Sequence, residues 1–213
     1  MYHDFWHNKW QKNEIGFHLP EANPLLLGHF PALKLSPGAR IFLPLCGKTL
    51  DIHWLLAQGF RVVGAELSTI AVVALFDDLK LTPTLAKVGK LTRYSAANID
   101  IFNGDFFALT TDMLGAVDAV YDRAALVALP AETRPRYAAH LAAITHTTPQ
   151  LLVCFDYDPT QYNGPPFCVN AQEVSTYYRP LYHPNLLASI KVAGGLKGKC
   201  TAHEQVWLLT PCA

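Results

Sequence analysis

The stretch ARIFLPLCGKTLDIHWLLAQGFRVVGAE, from Ala39 to Glu66, constrains the fold more than any other part of the 213-residue chain. Ile41, Phe42 and Leu43 form a short apolar run between Pro37-Gly38 and Cys46-Gly47, the pattern of a buried strand bounded by turns. Ile52, Leu55 and Leu56 recur at helical spacing, and Gly59 stands where a helix end takes a left-handed residue. Arg61 to Ala65 is a second buried-type strand, closed by Glu66. A strand, a glycine-bearing turn at a helix N-terminus and an acid 19 positions after that glycine describe a nucleoside-cofactor site. The helix end offers backbone N–H groups, and the carboxylate accepts from ribose hydroxyls.

The remaining pattern extends this unit into a layered α/β fold. Ser68 is placed to cap a helix carrying Val72, Leu75, Phe76 and Leu79 on one face. Residues 81–95 are polar and irregular, a loop with room for an edge strand. Strands are expected at Asn98–Phe102, at Val117–Tyr121 (ending in Asp122-Arg123) and at Leu151–Tyr157, with a helix over Ala131–His146. Such alternation predicts a mostly parallel sheet with helices on both faces. Leu186–Val192 and Val206–Leu209, separated by AGGLKGK, predict an antiparallel C-terminal hairpin. No linker composition divides the chain, so residues 1–213 read as one domain, with 1–30 as an N-terminal helical segment. Within it, Tyr2–Gln11 reads as a helix with Trp6 and Trp10 on one face, packed on the core or laid over a bound ligand.

Seventeen basic residues balance 17 acidic ones, which gives no electrostatic reason to expect nucleic acid or a membrane surface as partner. The five cysteines are scattered and never spaced as C-x-x-C, so neither a disulfide framework nor a metal site is expected. No secretory leader and no apolar run of membrane-spanning length is apparent, and a reduced, cytoplasmic, monomeric protein is expected.

Turn chemistry narrows the cofactor. A dinucleotide wants G-x-G-x-x-G, whereas LCGKTL holds one glycine. Gly47-Lys48-Thr49 matches the end of a P-loop, but Phe42 occupies its first glycine position and Pro44 lies inside it. S-adenosylmethionine carries no phosphate and needs only one close backbone approach. Glu66 then takes the ribose and Asp105 the adenine amino group, with Phe106 against the ring, at the strand edge where open α/β sheets bind ligands.

Trp6 and Trp10 with IGFH at 15–18, PLCGK at 44–48, VVGAE at 62–66, YDRAALVALP at 121–130, and DYDP with GPPF between 156 and 167 occur in one order along the chain. In these blocks the chain resembles the bacterial-type thiopurine S-methyltransferases. That resemblance implies a Rossmann-like class I methyltransferase with a mostly parallel seven-stranded sheet. It also implies methyl transfer from S-adenosylmethionine to the sulfur of an aromatic or heterocyclic thiol. By the same resemblance, Trp6 and Trp10 form a lid over the cofactor, Leu45 and Glu66 line its site, and Asp105 and Phe106 belong to the adenine-side loop. Phe17 and Arg123 face the substrate, and Arg123, which also borders the cofactor, favours the anionic sulfur. The alternatives are another soft nucleophile (selenium or tellurium compounds, halide) or a non-catalytic nucleoside-binding module. No general base is assigned.

Overall fold

The computed structural model describes residues 3–212. Its strands are β1 (Arg40–Leu43), β2 (Arg61–Glu66), β3 (Thr84–Val88), β4 (Leu91–Ala96), β5 (Ile99–Asn103), β6 (Ala119–Arg123), β7 (Gln150–Tyr157), β8 (Tyr182–Lys191) and β9 (Ala202–Pro211). The helices are α1 (His3–Gln11), α2 (Pro24–His29), α3 (Leu50–Ala57), α4 (Thr69–Asp78), α5 (Thr111–Leu114), α6 (Arg134–Ile144) and α7 (Ala171–Tyr178). The expected start of the first helix at Tyr2 lies outside the described residues.

All nine strands form one sheet in the order β3-β4-β5-β2-β1-β6-β7-β9-β8. β5, β2, β1, β6 and β7 run parallel, and β9 and β8 close the far edge antiparallel. The seven expected strands are all present, and the C-terminal hairpin lies where the sequence places it. Residues 81–95 differ from expectation: instead of a loop with one edge strand they hold β3 and most of β4, an antiparallel hairpin on the edge of β5. Four of the five β3 side chains are exposed, so no buried periodicity marks the strand in the sequence. Helix α7 was not anticipated either; its sequence AQEVSTYY buries only Val174 and Tyr178.

Alternation along β1 sorts the core into two layers. Ile41 and Leu43 face one side, with Ile52 and Leu55 of α3 and Val72, Leu75 and Phe76 of α4. Phe42 faces the other, with Tyr137 and Leu141 of α6 and Val174 and Tyr178 of α7. Chain order reverses at β1, which has β2 on one side and β6 on the other. The crevice beyond their C-terminal ends is the switch point where such sheets bind ligands. No described helix is long and apolar enough to cross a membrane.

Candidate active site

The turn after β1 is stitched to the end of β2. Cys46 donates its backbone N–H to the Ala65 carbonyl at 3.0 Å, and Gly47 donates to the Glu66 carboxylate at 2.7 Å. The second Glu66 oxygen accepts the Ser68 N–H at 2.6 Å, so the acid joins the start of α3 to the start of α4. Glu66 is almost fully buried, and burial raises its pKa against the lowering effect of these N–H donors. Gly64 permits this closure: a Cβ there would lie 2.8 Å from Cys46 Sγ and 2.7 Å from Ile101 Cδ1. Thr49 caps α3 by accepting from Asp51 N, and Lys48 pairs with Asp78 at 3.1 Å. The P-loop-like tripeptide is thus occupied by capping and an ion pair.

Helix α1 lies across the turn. Trp10 is 7% exposed, and its Cζ2 would stand 3.1 Å from a Cβ at Gly47, whose φ of +56° also favours glycine. Phe17 meets both indoles edge-on, with ring centroids 5.8 Å from Trp6 and 5.5 Å from Trp10. Its carbonyl accepts from Arg123 Nη1 at 3.3 Å, which ties the N-terminal loop to the end of β6. Asp122, the neighbour of Arg123, turns to the opposite layer and accepts from Tyr137 Oη at 2.7 Å and Leu126 N at 3.2 Å. Burial lifts its pKa to about 6. Among the described residues Arg123 forms no ion pair within 4.0 Å, leaving most of its donors available.

Trp6, Trp10, Phe17, Leu45, Glu66 and Arg123 converge on one cavity of about 640 Å³, within the roughly 300–1,000 Å³ usual for small-molecule sites. Three of its non-glycine residues hold strained backbone: Leu45 at φ 48° after β1, Ala124 at φ 62° after β6, and Lys197 at φ 51° between β8 and β9. Left-handed non-glycine residues cost roughly 1–2 kcal/mol each, and such strain gathers at binding sites.

Two expected residues do not reach this cavity. The Phe106 ring is 1% exposed and packs on Phe42, Tyr137 and His140, so it belongs to the core and presents no face to a base. Asp105 caps the short 3-10 turn at Phe106–Ala108 by accepting from Phe107 N at 3.0 Å, outside the cavity wall. Conversely, His18, Val153, Phe155 and Glu204 line the cavity although the sequence does not mark them for it, and Pro165 and Pro166 of the stiff proline-rich loop at the same strand edge line it too. The proline loop is pinned there, since the Pro165 carbonyl accepts from Tyr162 Oη at 2.6 Å and Phe167 N donates to the Val127 carbonyl at 2.7 Å. Partial burial, with the nearby Lys48 and Arg123 charges, lowers the pKa of His18. Among the described residues no cluster of His, Cys, Asp and Glu is arranged to hold a metal ion.

The family model described as thiopurine S-methyltransferase matches residues 1–207. The chain belongs to the thiopurine S-methyltransferase family. The relative so named from Xanthobacter autotrophicus is 58% identical over 207 residues, covering 97% of both chains. That from Gluconobacter oxydans is 52% identical over 97% of this chain and 94% of its own. Among solved structures, the 1,6-didemethyltoxoflavin N1-methyltransferase of Burkholderia thailandensis, crystallised with S-adenosylhomocysteine, superposes with a TM-score of 0.63 at 14% identity. It covers 98% of this chain and 87% of that one. A TehB-like S-adenosylmethionine-dependent methyltransferase from Corynebacterium glutamicum gives 0.59 at 12% identity, over 99% and 98%. These distant likenesses bear on the fold, which is the Rossmann-like sheet of class I methyltransferases. The thiopurine S-methyltransferase relatives bear on the chemistry, methyl transfer to sulfur with S-adenosylmethionine as donor.

Proposed function

We propose that this thiopurine S-methyltransferase family member methylates the sulfur of aromatic and heterocyclic thiols, with the cofactor held at the β1/β2 crevice and the thiol at the β6/β7 end. The observation that carries the reading is the Glu66 carboxylate, fixed by two backbone N–H groups at the rim of a mostly apolar cavity. Each carboxylate oxygen retains a lone pair for a ribose hydroxyl. Phosphate finds no welcome beside this acid, because Lys48 is already paired with Asp78. The residues therefore suit a phosphate-free, cationic nucleoside.

Bound S-adenosylmethionine supplies an electrophilic methyl group on a sulfonium. Glu66 holds the ribose, Leu45 and the Cys46-Gly47 turn border the amino-acid end, and Trp6 and Trp10 of α1 close over the site as a lid. Asp105 retains a free carboxylate oxygen beyond β5 for the adenine amino group, and Phe106 anchors that turn in the core. Phe17 offers an edge of apolar ring to the substrate. Arg123 turns its unpaired guanidinium donors to the sulfur anion and also borders the cofactor. Alignment of donor, methyl and acceptor sulfur is the main catalytic demand and is worth up to roughly 7–11 kcal/mol.

The protein acts as a single-domain monomer in the cytoplasm on small molecules rather than nucleic acid. The continuous sheet, the zero formal net charge and the four buried free thiols support this. The test is turnover: purified protein, S-adenosylmethionine and a panel of thiophenol, thiopurine, selenide and halide acceptors, read as S-adenosylhomocysteine formed. Preference for the aryl thiols supports the reading. Preference for selenide or halide, or tight cofactor binding with no product from any acceptor, refutes it.

A further inference from the structure

Glu204 is a carboxylate of the cavity wall on its β7/β9 side, the end assigned above to the thiol. It lies at the start of β9, opposite Phe155 of β7, and the antiparallel return of β9 carries it to the edge where the parallel strands end. Val153, which also lines the cavity, pairs with Arg123 on one side and with Val206 on the other, so Arg123 and Glu204 flank the same wall. The Glu204 side chain is half-buried in the cavity wall, and no described residue donates a hydrogen bond to its carboxylate. Its charged surroundings are few. Arg123 on β6 bears on it, and Lys197 from the β8–β9 connection lines the cavity with its ammonium given to the Pro165 carbonyl at 2.8 Å. The Tyr121 hydroxyl, beneath them, is spent on Asp51 at 3.2 Å.

A carboxylate on a cavity wall, partly withdrawn from water and without a protein donor, has its lone pairs open to a ligand's N–H or O–H. The ligand class follows from the neighbour. Arg123 provides donors for a sulfur anion, whereas Glu204 provides only acceptors when ionised. A group presenting a sulfur beside an N–H satisfies both, and that is the thione tautomer of a heteroaryl thiol, HN–C=S.

Resting on the thiol-methylation reading above, we propose that Glu204 is the proton acceptor that selects nitrogen heterocyclic thiones and converts them to thiolates at Arg123. The ring N–H bond breaks and its proton passes to a Glu204 oxygen. The N–H electron pair forms the C=N bond, and the C=S π pair moves onto sulfur, which becomes the nucleophile. After methyl transfer, Glu204 returns its proton to solvent. Burial raises the proton affinity of this carboxyl, and the Arg123 charge opposes that rise.

The test compares pyridine-2-thione, which carries the adjacent N–H, with thiophenol, which does not. Glu204→Gln keeps the shape and loses the base. It is expected to lower kcat/KM for pyridine-2-thione roughly 100-fold while thiophenol changes less than about threefold and S-adenosylhomocysteine affinity is unchanged. Equal losses for both acceptors, or no loss for either, overturn the proposal. A second readout needs neither turnover nor the variant: the absorption spectrum of pyridine-2-thione bound to wild-type protein with S-adenosylhomocysteine. A thiolate spectrum is expected, and a neutral thione spectrum overturns the assignment. Failure of wild-type protein to methylate either compound would refute the thiol-methylation reading separately, with the bound spectrum still deciding the role of Glu204.

Discussion

Gly47 donates its backbone N–H to the Glu66 carboxylate at 2.7 Å, across 19 residues of sequence, so the turn after β1 and the end of β2 behave as one piece. Replacing Glu66 by Gln puts an NH₂ group opposite either the Gly47 or the Ser68 N–H. One buried donor is then left unpaired, at a cost of about 1–3 kcal/mol in unfolding free energy. Loss of the charge-assisted bonds to the sugar is expected to raise the dissociation constant for S-adenosylhomocysteine about 10- to 100-fold. Urea denaturation and isothermal titration read the two effects separately. Unaltered affinity would remove Glu66 from the cofactor site.

Trp10 over Gly47 makes the lid assignment testable. Trp10→Ala removes the ring that docks α1, so cofactor affinity is expected to fall at least about tenfold. Because Trp10 is itself buried, the variant is also expected to lose up to roughly 3–5 kcal/mol of stability, which urea denaturation reads separately from affinity. In wild-type protein, hydrogen exchange of the α1 amides should slow when S-adenosylhomocysteine is added. An α1 exchange rate indifferent to the ligand would make the helix a plain structural element.

Arg123 donates at 3.3 Å to the Phe17 carbonyl and to no carboxylate among the described residues. Arg123→Ala should lower kcat for thiols by roughly 10²–10³, the usual cost of losing a donor to a developing or resident anion. Cofactor affinity should change much less. A variant with normal turnover at saturation but poor cofactor binding would move Arg123 to the other half of the site.

Asp122 gives a pH signature. Its carboxyl titrates at about 6 when folded against an ordinary 3.8, chiefly because burial disfavours the charge. A raised acid keeps its full contribution below the unfolded value and loses it as pH rises through the folded one. The stability of wild-type protein relative to Asp122→Asn should therefore fall by on the order of 3 kcal/mol between about pH 4 and pH 7. Paired urea titrations across that range would show it, and a flat difference would mean Asp122 is ionised throughout.

Much of this arrangement is legible in the sequence because it is local. The apolar run at Ile41–Leu43, the turn glycine and Glu66 lie within one strand–turn–helix–strand unit, where period and spacing carry the information. Phe106 shows where that information ends. An aromatic beside an acid after a strand looks like a base-stacking pair until Phe42, from a different strand, is seen to stack on its ring at 6.4 Å. Strand β3 lacks a buried face, so nothing in its pattern separates it from a loop. Glu204 is invisible for a topological reason: only the antiparallel insertion of β9 beside β7 brings a residue 81 positions beyond Arg123 to the same wall.

A crystal structure of the protein with S-adenosylhomocysteine tests the central claim most directly. The ribose hydroxyls should lie within hydrogen-bond distance of Glu66, with the sulfur directed toward Phe17 and Arg123 beneath the α1 indoles. A nucleoside bound with its sugar away from Glu66, or outside the crevice between β1, β2 and β6, would contradict the account.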